Sequence, residues 1–157
     1  MTLKELRISF NITQNEASLC VGVPLRTYKR YEQLNDESNL KYIKMKELLI
    51  EKYEITEEKG LLTFEKIKDI VNDVLIKYND EISFCYLFGS YAKGYAKESS
   101  DVDLLIDTSL SGLKFVGLIE KLHQNLKKNV DVLRFKDLSD NMVLINEIMK
   151  EGIKIYG

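Results

Sequence analysis

The stretch that decides the fold of the second half of the chain runs Phe88-Gly89-Ser90-Tyr91-Ala92-Lys93-Gly94. After a short spacer it continues as Ser99-Ser100-Asp101-Val102-Asp103-Leu104-Leu105. The apolar run that precedes it, Ile82 to Phe88, is rich in β-forming residues and predicts a strand. Val102 to Ile106 predicts a second strand. We therefore expect a polar turn, beginning with a glycine and a serine, between two buried strands.

Two carboxylates stand at the start of the second predicted strand. Asp101 and Asp103 are two residues apart, so in extended backbone both side chains project from the same face. The alternating residues Val102, Leu104 and Ile106 then face the core. Two like charges this close repel each other unless a cation lies between them. Such oxygen ligands suit Mg²⁺, whose coordination is often completed by substrate phosphates.

A third carboxylate, Asp131, lies in a later strand pattern, Val130 to Leu133, on the face away from its flanking valines. Acids on neighbouring strands can hold two metal ions about 3.5–4 Å apart for in-line displacement at phosphorus. In the turn, Gly89 permits close approach of the backbone, and Ser90 and Lys93 provide a hydroxyl and a positive charge for phosphate oxygens. Each feature alone is common in turns, but their order and spacing favour a functional site over solvated surface residues.

These residues resemble the signature of the minimal nucleotidyltransferases of the DNA polymerase β-like superfamily. That signature is a Gly-Ser, a small residue, an Arg-Gly, then Ser-Asp-x-Asp-Leu and a later lone Asp. It corresponds here to Gly89–Gly94, Ser100–Leu104 and Asp131, with Lys93 in place of the arginine. The resemblance covers roughly residues 64–157. It implies an α/β (α+β) nucleotidyltransferase fold with a short mixed sheet flanked by helices.

The resemblance also implies an activity, the Mg²⁺-dependent transfer of AMP from ATP with pyrophosphate as the leaving group. Asp101 and Asp103 would hold the two Mg²⁺ ions, and Asp131 would bind the second ion and help to deprotonate the acceptor hydroxyl. The nucleotide contacts that it implies fall on Gly89, Ser90, Lys93 and Ser100.

Minimal nucleotidyltransferases of this kind are typically antitoxins paired with HEPN ribonuclease toxins, and they attach AMP to a toxin tyrosine. Only 26 residues follow Asp131, so we expect a partner surface, a dimer or a protein substrate to supply the acceptor. A homo-oligomer or a hetero-oligomer with the toxin is expected. Two alternatives stay open: an antitoxin that neutralises by binding alone, and a transferase that acts on a small molecule.

The first half of the chain has a helical pattern of short elements. The segment from Thr13 to Glu32 resembles the helix-turn-helix of the phage-repressor (XRE-like) family, with Gly22 at the turn. This implies DNA contacts in the major groove and on its phosphates, from the residues Gln14, Arg26, Thr27, Lys29 and Arg30. The alternative is a small all-α domain that only dimerises. We expect domains at 1–55 and 64–157, joined by a linker at 56–63.

Composition bounds these interpretations. The 23 Lys and Arg against 25 Asp and Glu give a net charge of −2, which excludes a polycation that coats nucleic acid but not a local basic patch. One histidine and two cysteines cannot form a four-ligand zinc site or a disulfide framework, and they predict a reducing, cytoplasmic setting. The apolar runs are far shorter than a membrane span.

Overall fold

A computed structural model describes the whole chain, Met1 to Gly157. It consists of two compact units, Met1–Glu54 and Ile55–Gly157. None of its helices combines the length and the apolar composition needed to cross a membrane. The second unit holds a four-stranded mixed sheet with helices packed on it, so the predicted α/β class is confirmed.

The first unit is all helical. Its helices are α1 (Leu3–Ser9), α2 (Gln14–Val21), α3 (Leu25–Leu34) and α4 (Leu40–Tyr53). Thr2 and Thr13 begin α1 and α2 with reciprocal capping boxes, each of which satisfies two backbone N–H groups that have no partner inside the helix. α2 ends at Gly22, which has a φ of 72°, a left-handed conformation that glycine adopts at little cost.

The sheet of the second unit is mixed. Its strands are β1 (Ile82–Phe88), β2 (Val102–Thr108), β3 (Val130–Arg134) and β4 (Ile153–Tyr156). They lie in the order β3-β2-β1-β4, with β1 antiparallel to β2 and β4, and β2 parallel to β3. A parallel pair needs a long crossover connection, and between β2 and β3 this connection contains a helix.

Helices cover both faces of this sheet. They are α5 (Phe64–Leu75), α6 (Gly89–Lys93), α7 (Gly112–Leu126) and α8 (Met142–Glu151). The larger core packs α5 and α7 against β1 and β2, where Leu104 is fully buried. A smaller core packs Leu105, on the opposite face of β2, against Ile145 and Ile148 of α8. Both faces of β2 are therefore in contact with apolar side chains, which fixes its register.

Three local details differ from the sequence-based expectations. Gly89–Lys93 forms a helical turn where a polar turn is expected, and Phe135–Leu138 adds a 3-10 helix. From the sequence, one apolar stripe of α7 is expected to comprise Leu113, Val116, Ile119, Leu122 and Leu126. Leu113 and Val116 are instead 90% and 59% exposed, whereas Leu118 is fully buried. With 3.6 residues per turn, Leu113 and Val116 lie about 140° and 160° around the helix from Leu118. They therefore face away from the core.

The α7 assignment is tested by truncating two leucines of the same helix. We expect Leu118→Ala to lower the free energy of unfolding by about 2–5 kcal/mol, because it leaves a cavity in the core. Leu113→Ala is expected to change it by less than about 0.5 kcal/mol. Urea denaturation of both variants measures the difference, and equal losses would show that the helix is rotated relative to this description.

Candidate active site

Asp103 lies on β2, which is flanked by β1 and β3, and these three strands form the site. In the register of the sheet its Cα is opposite Phe88 of β1 on one side and Asp131 of β3 on the other. The turn that begins at Gly89 follows Phe88 directly. Strand pairing alone therefore brings together the glycine of the turn, the central carboxylate and the carboxylate of β3.

Gly89 is required at its position for two separate reasons. Its φ is 70°, a conformation that L side chains rarely adopt. In addition, a Cβ on this residue would overlap the carboxylate of Asp103. The backbone of the turn thus lies directly against the Asp103 side chain, and any larger residue here would displace one of the two.

The electrostatics of Asp103 reflect its surroundings. Its side chain is half-buried between the strands. Burial, followed by the negative charges of Asp131 and Asp101, raises its pKa to about 6. Two nearby carboxylates acting on a third show that the three acids form one electrostatic cluster. Such a cluster favours bound cations and shifts the proton affinity of its central member.

Asp101 and Asp131 are both exposed. Asp101 immediately precedes β2 and is not part of the strand, whose first residue donates from its N–H to the carbonyl oxygen of Asn129 at 2.9 Å. No three His, Cys, Asp or Glu side chains are placed so that they could by themselves hold a metal ion. An oxygen-only donor set that leaves room for further ligands fits Mg²⁺, which keeps several waters and substrate phosphates among its ligands.

Two of the other sequence-predicted nucleotide residues, Lys93 and Ser100, are engaged in contacts within the protein. Ser90 belongs to α6 and is partly exposed. The Lys93 ammonium forms ion pairs with Glu151 at 2.8 Å and Glu147 at 3.9 Å, and the hydrogen bond to Glu151 raises the pKa of Lys93. The Ser100 hydroxyl accepts a hydrogen bond from the N–H of Lys97 at 2.8 Å. For Lys93 to contact a phosphate, its ammonium must first separate from the carboxylates of Glu147 and Glu151 on α8.

Lys128, which no sequence motif marks, is the one fully buried charged residue of the chain. Its ammonium donates to the backbone carbonyl oxygens of Glu57, Lys59 and Glu98, the last of which lies three residues before Asp101. Nothing in the sequence distinguishes Lys128 from its exposed neighbour Lys127, because the difference arises from tertiary packing.

The predicted DNA-contacting residues lie in the first unit. Arg26, Lys29 and Arg30 are exposed on α3, Thr27 is half-buried, and all four line an open pocket of about 610 Å³. Gln14 is placed differently, because its side-chain amide donates to the Glu32 carboxylate at 2.8 Å. Burial raises the pKa of Glu32, but the hydrogen bonds from Arg7 and Gln14 outweigh this and lower it overall.

The carboxylate cluster predicts a pH dependence. Without divalent ions, we expect the Asp103 carboxyl to titrate near pH 6, and Asp131→Asn to move the midpoint towards the ordinary value because one repelling charge is removed. Carboxyl ¹³C NMR measures both. The folded-state pKa is raised, so the folded chain binds the proton more tightly, and this contribution to stability is lost as pH rises from about 4 through 6.

The difference in unfolding free energy between wild type and Asp103→Asn isolates this contribution from that of carboxylates such as Glu32, whose lowered pKa makes stability increase with pH. An Asp103 midpoint near pH 4 in the wild type would contradict the clustered arrangement.

Comparison with known proteins assigns the second unit to a family. Residues 65–157 match the family described as polymerase beta, nucleotidyltransferase. Protein adenylyltransferase MntA of Thermococcus cleftensis is 35% identical over 87 residues, which cover 53% of this chain and 88% of that protein. MJ0435 of Methanocaldococcus jannaschii, which carries the provisional name protein adenylyltransferase, is 30% identical over 96 residues, or 60% of this chain and 99% of that protein.

One solved structure is similar in fold. It is a crystal structure of a toxin–antitoxin with AMP-PNP, and it superposes with a TM-score of 0.51 at 25% identity, covering 57% of this chain and 73% of the other. The family match extends over more than half of the chain and includes the glycine turn and all three carboxylates of the cluster. The chain therefore belongs to the polymerase beta nucleotidyltransferase family.

Proposed function

We propose that this protein is an antitoxin that transfers AMP from ATP to a tyrosine hydroxyl of a cognate HEPN ribonuclease toxin. The observation that carries the proposal is the cluster of Asp101, Asp103 and Asp131, whose central member Asp103 lies against the backbone of Gly89. Carboxylates beside a glycine turn can hold Mg²⁺ and a nucleoside triphosphate together.

The proposed reaction is an in-line displacement at the α-phosphorus of ATP. The acceptor oxygen forms a new bond to that phosphorus, the bond to the bridging oxygen breaks, and pyrophosphate leaves with its electron pair. Asp131 takes the hydroxyl proton. Mg²⁺, held by aspartates of the cluster together with phosphate oxygens, would supply charge neutralisation at the phosphates. Ser90 and the backbone at Gly89 would orient the phosphates, with Ser100 supporting the loop before Asp101.

Support for AMP transfer to a protein comes from the relatives. Both the Thermococcus and the Methanocaldococcus proteins carry the name protein adenylyltransferase, and this chain spans 88% and 99% of their lengths. Support for a toxin as the acceptor comes from the toxin–antitoxin structure with AMP-PNP. The tyrosine target and the HEPN class rest on the resemblance of the Gly-Ser and Asp-x-Asp motifs.

The enzymatic proposal is tested with the double variant Asp101→Asn/Asp103→Asn. We expect transfer of labelled AMP from ATP to the purified toxin, in the presence of Mg²⁺, to fall by at least about a hundredfold, because metal ligation stabilises the transition state by several kcal/mol. Asp73→Asn, on the exposed face of α5, is the matched control and should retain full activity. Label in the toxin should disappear when its acceptor tyrosine is replaced by phenylalanine.

The same assay separates the alternatives. A tight complex with the toxin and full protection of cells by the double variant would contradict the enzymatic proposal and favour neutralisation by binding alone. Label that appears only in small molecules of a cell extract would instead favour a small-molecule acceptor.

We also propose that the first unit binds operator DNA and so represses the chain's own operon. Three exposed basic side chains, Arg26, Lys29 and Arg30, lie on the single helix α3, which follows α2 after a short turn at Gly22. In a helix-turn-helix the second helix enters the major groove, and α3 is the second helix of this pair. The basic residues could reach base edges and phosphates there.

The DNA proposal predicts a graded loss of binding. Arg26→Gln and Arg30→Gln should each weaken binding to a duplex that contains the chain's own promoter. Each should also reduce the slope of log affinity against log salt by about 0.9 if the lost contact is to one phosphate. Lys44→Gln, an exposed lysine of α4, is the control. A mobility shift unchanged by both arginine variants would exclude groove binding by α3.

A further inference from the structure

Lys128 has an environment unlike that of any other charged side chain in the protein. It is fully buried, and its ammonium donates to the carbonyl oxygens of Glu57 at 3.4 Å, Lys59 at 3.2 Å and Glu98. An ammonium has three donors, so three carbonyl acceptors satisfy it completely. A buried charge without such partners would cost several kcal/mol, which means that the carbonyls and the lysine hold each other in place.

The three carbonyls belong to two separate loops. Glu57 and Lys59 lie in a tight turn, in which the N–H groups of Thr56 and Lys59 each donate to the other residue's carbonyl oxygen. Glu98 lies in the loop between α6 and β2, three residues before Asp101. The Glu98 carboxylate also accepts from the N–H of Gly60 at 3.2 Å. Lys128 and Glu98 thus connect the turn and the loop at two points.

The loop that contains Glu98 is further ordered by its own hydrogen bonds. The N–H of Lys97 donates to the Ser100 hydroxyl at 2.8 Å, and the N–H of Ser100 donates to the Lys97 carbonyl oxygen at 2.9 Å. Asp101 follows directly and is exposed, so the backbone of this loop sets the position of its carboxylate. One residue after Lys128, the carbonyl oxygen of Asn129 accepts from the first N–H of β2.

We propose that Lys128 is a positioning residue for the metal-binding carboxylates: by fixing the Glu98 carbonyl against the start of β3, it places Asp101 relative to Asp103 and Asp131. The inference rests on the proposed function of the carboxylate cluster. In this proposal, a buried lysine that contacts neither the metal nor the nucleotide affects catalysis through the position of Asp101. The turn at Glu57 to Lys59 provides the rigid support on the other side of the ammonium.

The test is Lys128→Met, which keeps an unbranched side chain only one atom shorter and removes the three donors of the ammonium. Binding of Mn²⁺ to the full-length protein, with a non-hydrolysable ATP analogue present, is followed by the electron paramagnetic resonance signal of free Mn²⁺. We expect the dissociation constant to rise by about 10- to 100-fold, the range found for residues that orient metal ligands from outside the coordination sphere. AMP transfer should recover at saturating Mn²⁺, which a general loss of folding would not permit.

Two controls separate positioning from packing. Lys127→Met alters the exposed neighbour and should leave Mn²⁺ binding unchanged. Glu57→Gln weakens the contacts of Glu57 with His123 and Asn129 but leaves the carbonyl of Glu98 on Lys128, and it should also leave Mn²⁺ binding unchanged. If circular dichroism shows that Lys128→Met does not fold, Lys128→Gln, whose amide retains two donors, replaces it in the same measurement.

A folded Lys128→Met protein with wild-type Mn²⁺ affinity would overturn the positioning role while leaving AMP transfer by the wild type intact. A wild type that neither binds Mn²⁺ nor transfers AMP would overturn the proposed function and this inference together. Hydrogen exchange of the wild type gives an independent check. The amides of Lys97 and Ser100 should exchange as slowly as those of β2, and rapid exchange of both would contradict a fixed loop.

Discussion

The structure of the candidate site depends on the pairing of β2 with a strand on each side. Asp103 is opposite Phe88 and Asp131 in the two ladders, and the buried side chains that alternate with it hold β2 in that register. A shift of one residue would place the aspartate on the opposite face of the sheet, inside the larger core that contains Leu104. The apolar cores on both faces of the sheet therefore act through strand register to keep one carboxylate at the centre of the cluster.

Several features around the Asp103 carboxylate are energetically unfavourable by themselves. Gly89 takes a left-handed conformation so that backbone can lie against Asp103. Burial, together with the repulsion from Asp131 and Asp101, raises the pKa of Asp103 to about 6, and a buried ammonium is retained next to the loop that precedes Asp101. Such features tend to be found at functional sites, and here all three meet at one end of β2. A bound cation and a triphosphate would relieve the repulsion among the acids.

Much of the fold follows from patterns that the sequence displays directly. Thr13 and Gly22 bound α2, and Thr63 begins α5, because capping and left-handed residues act locally. The order of strands and helices in residues 64–157 also follows from periodicity. The exposure of Leu113 and Val116 does not follow from periodicity. An apolar residue in the first turns of a helix can face solvent when the core packs against another side of that helix.

The candidate site likewise has features that the sequence displays and features that depend on tertiary packing. The spacing of Asp101 and Asp103 and the glycine turn are visible in the sequence, and strand pairing then brings Asp131 beside them. The ion pairs of Lys93 with α8 and the contacts of Lys128 depend on partners 30 or more residues away, which no local pattern encodes. The roles of the three aspartates in catalysis and of the basic residues of α3 in DNA binding stay predictions.

The most direct test of the central claim is to locate the metal. Crystals of the full-length protein grown with Mn²⁺ and a non-hydrolysable ATP analogue would give anomalous difference density from the metal alone. The account predicts density among the carboxylates of Asp101, Asp103 and Asp131, with the triphosphate beside Gly89 and Ser90. Nucleotide bound elsewhere, or Mn²⁺ density away from all three aspartates, would contradict it.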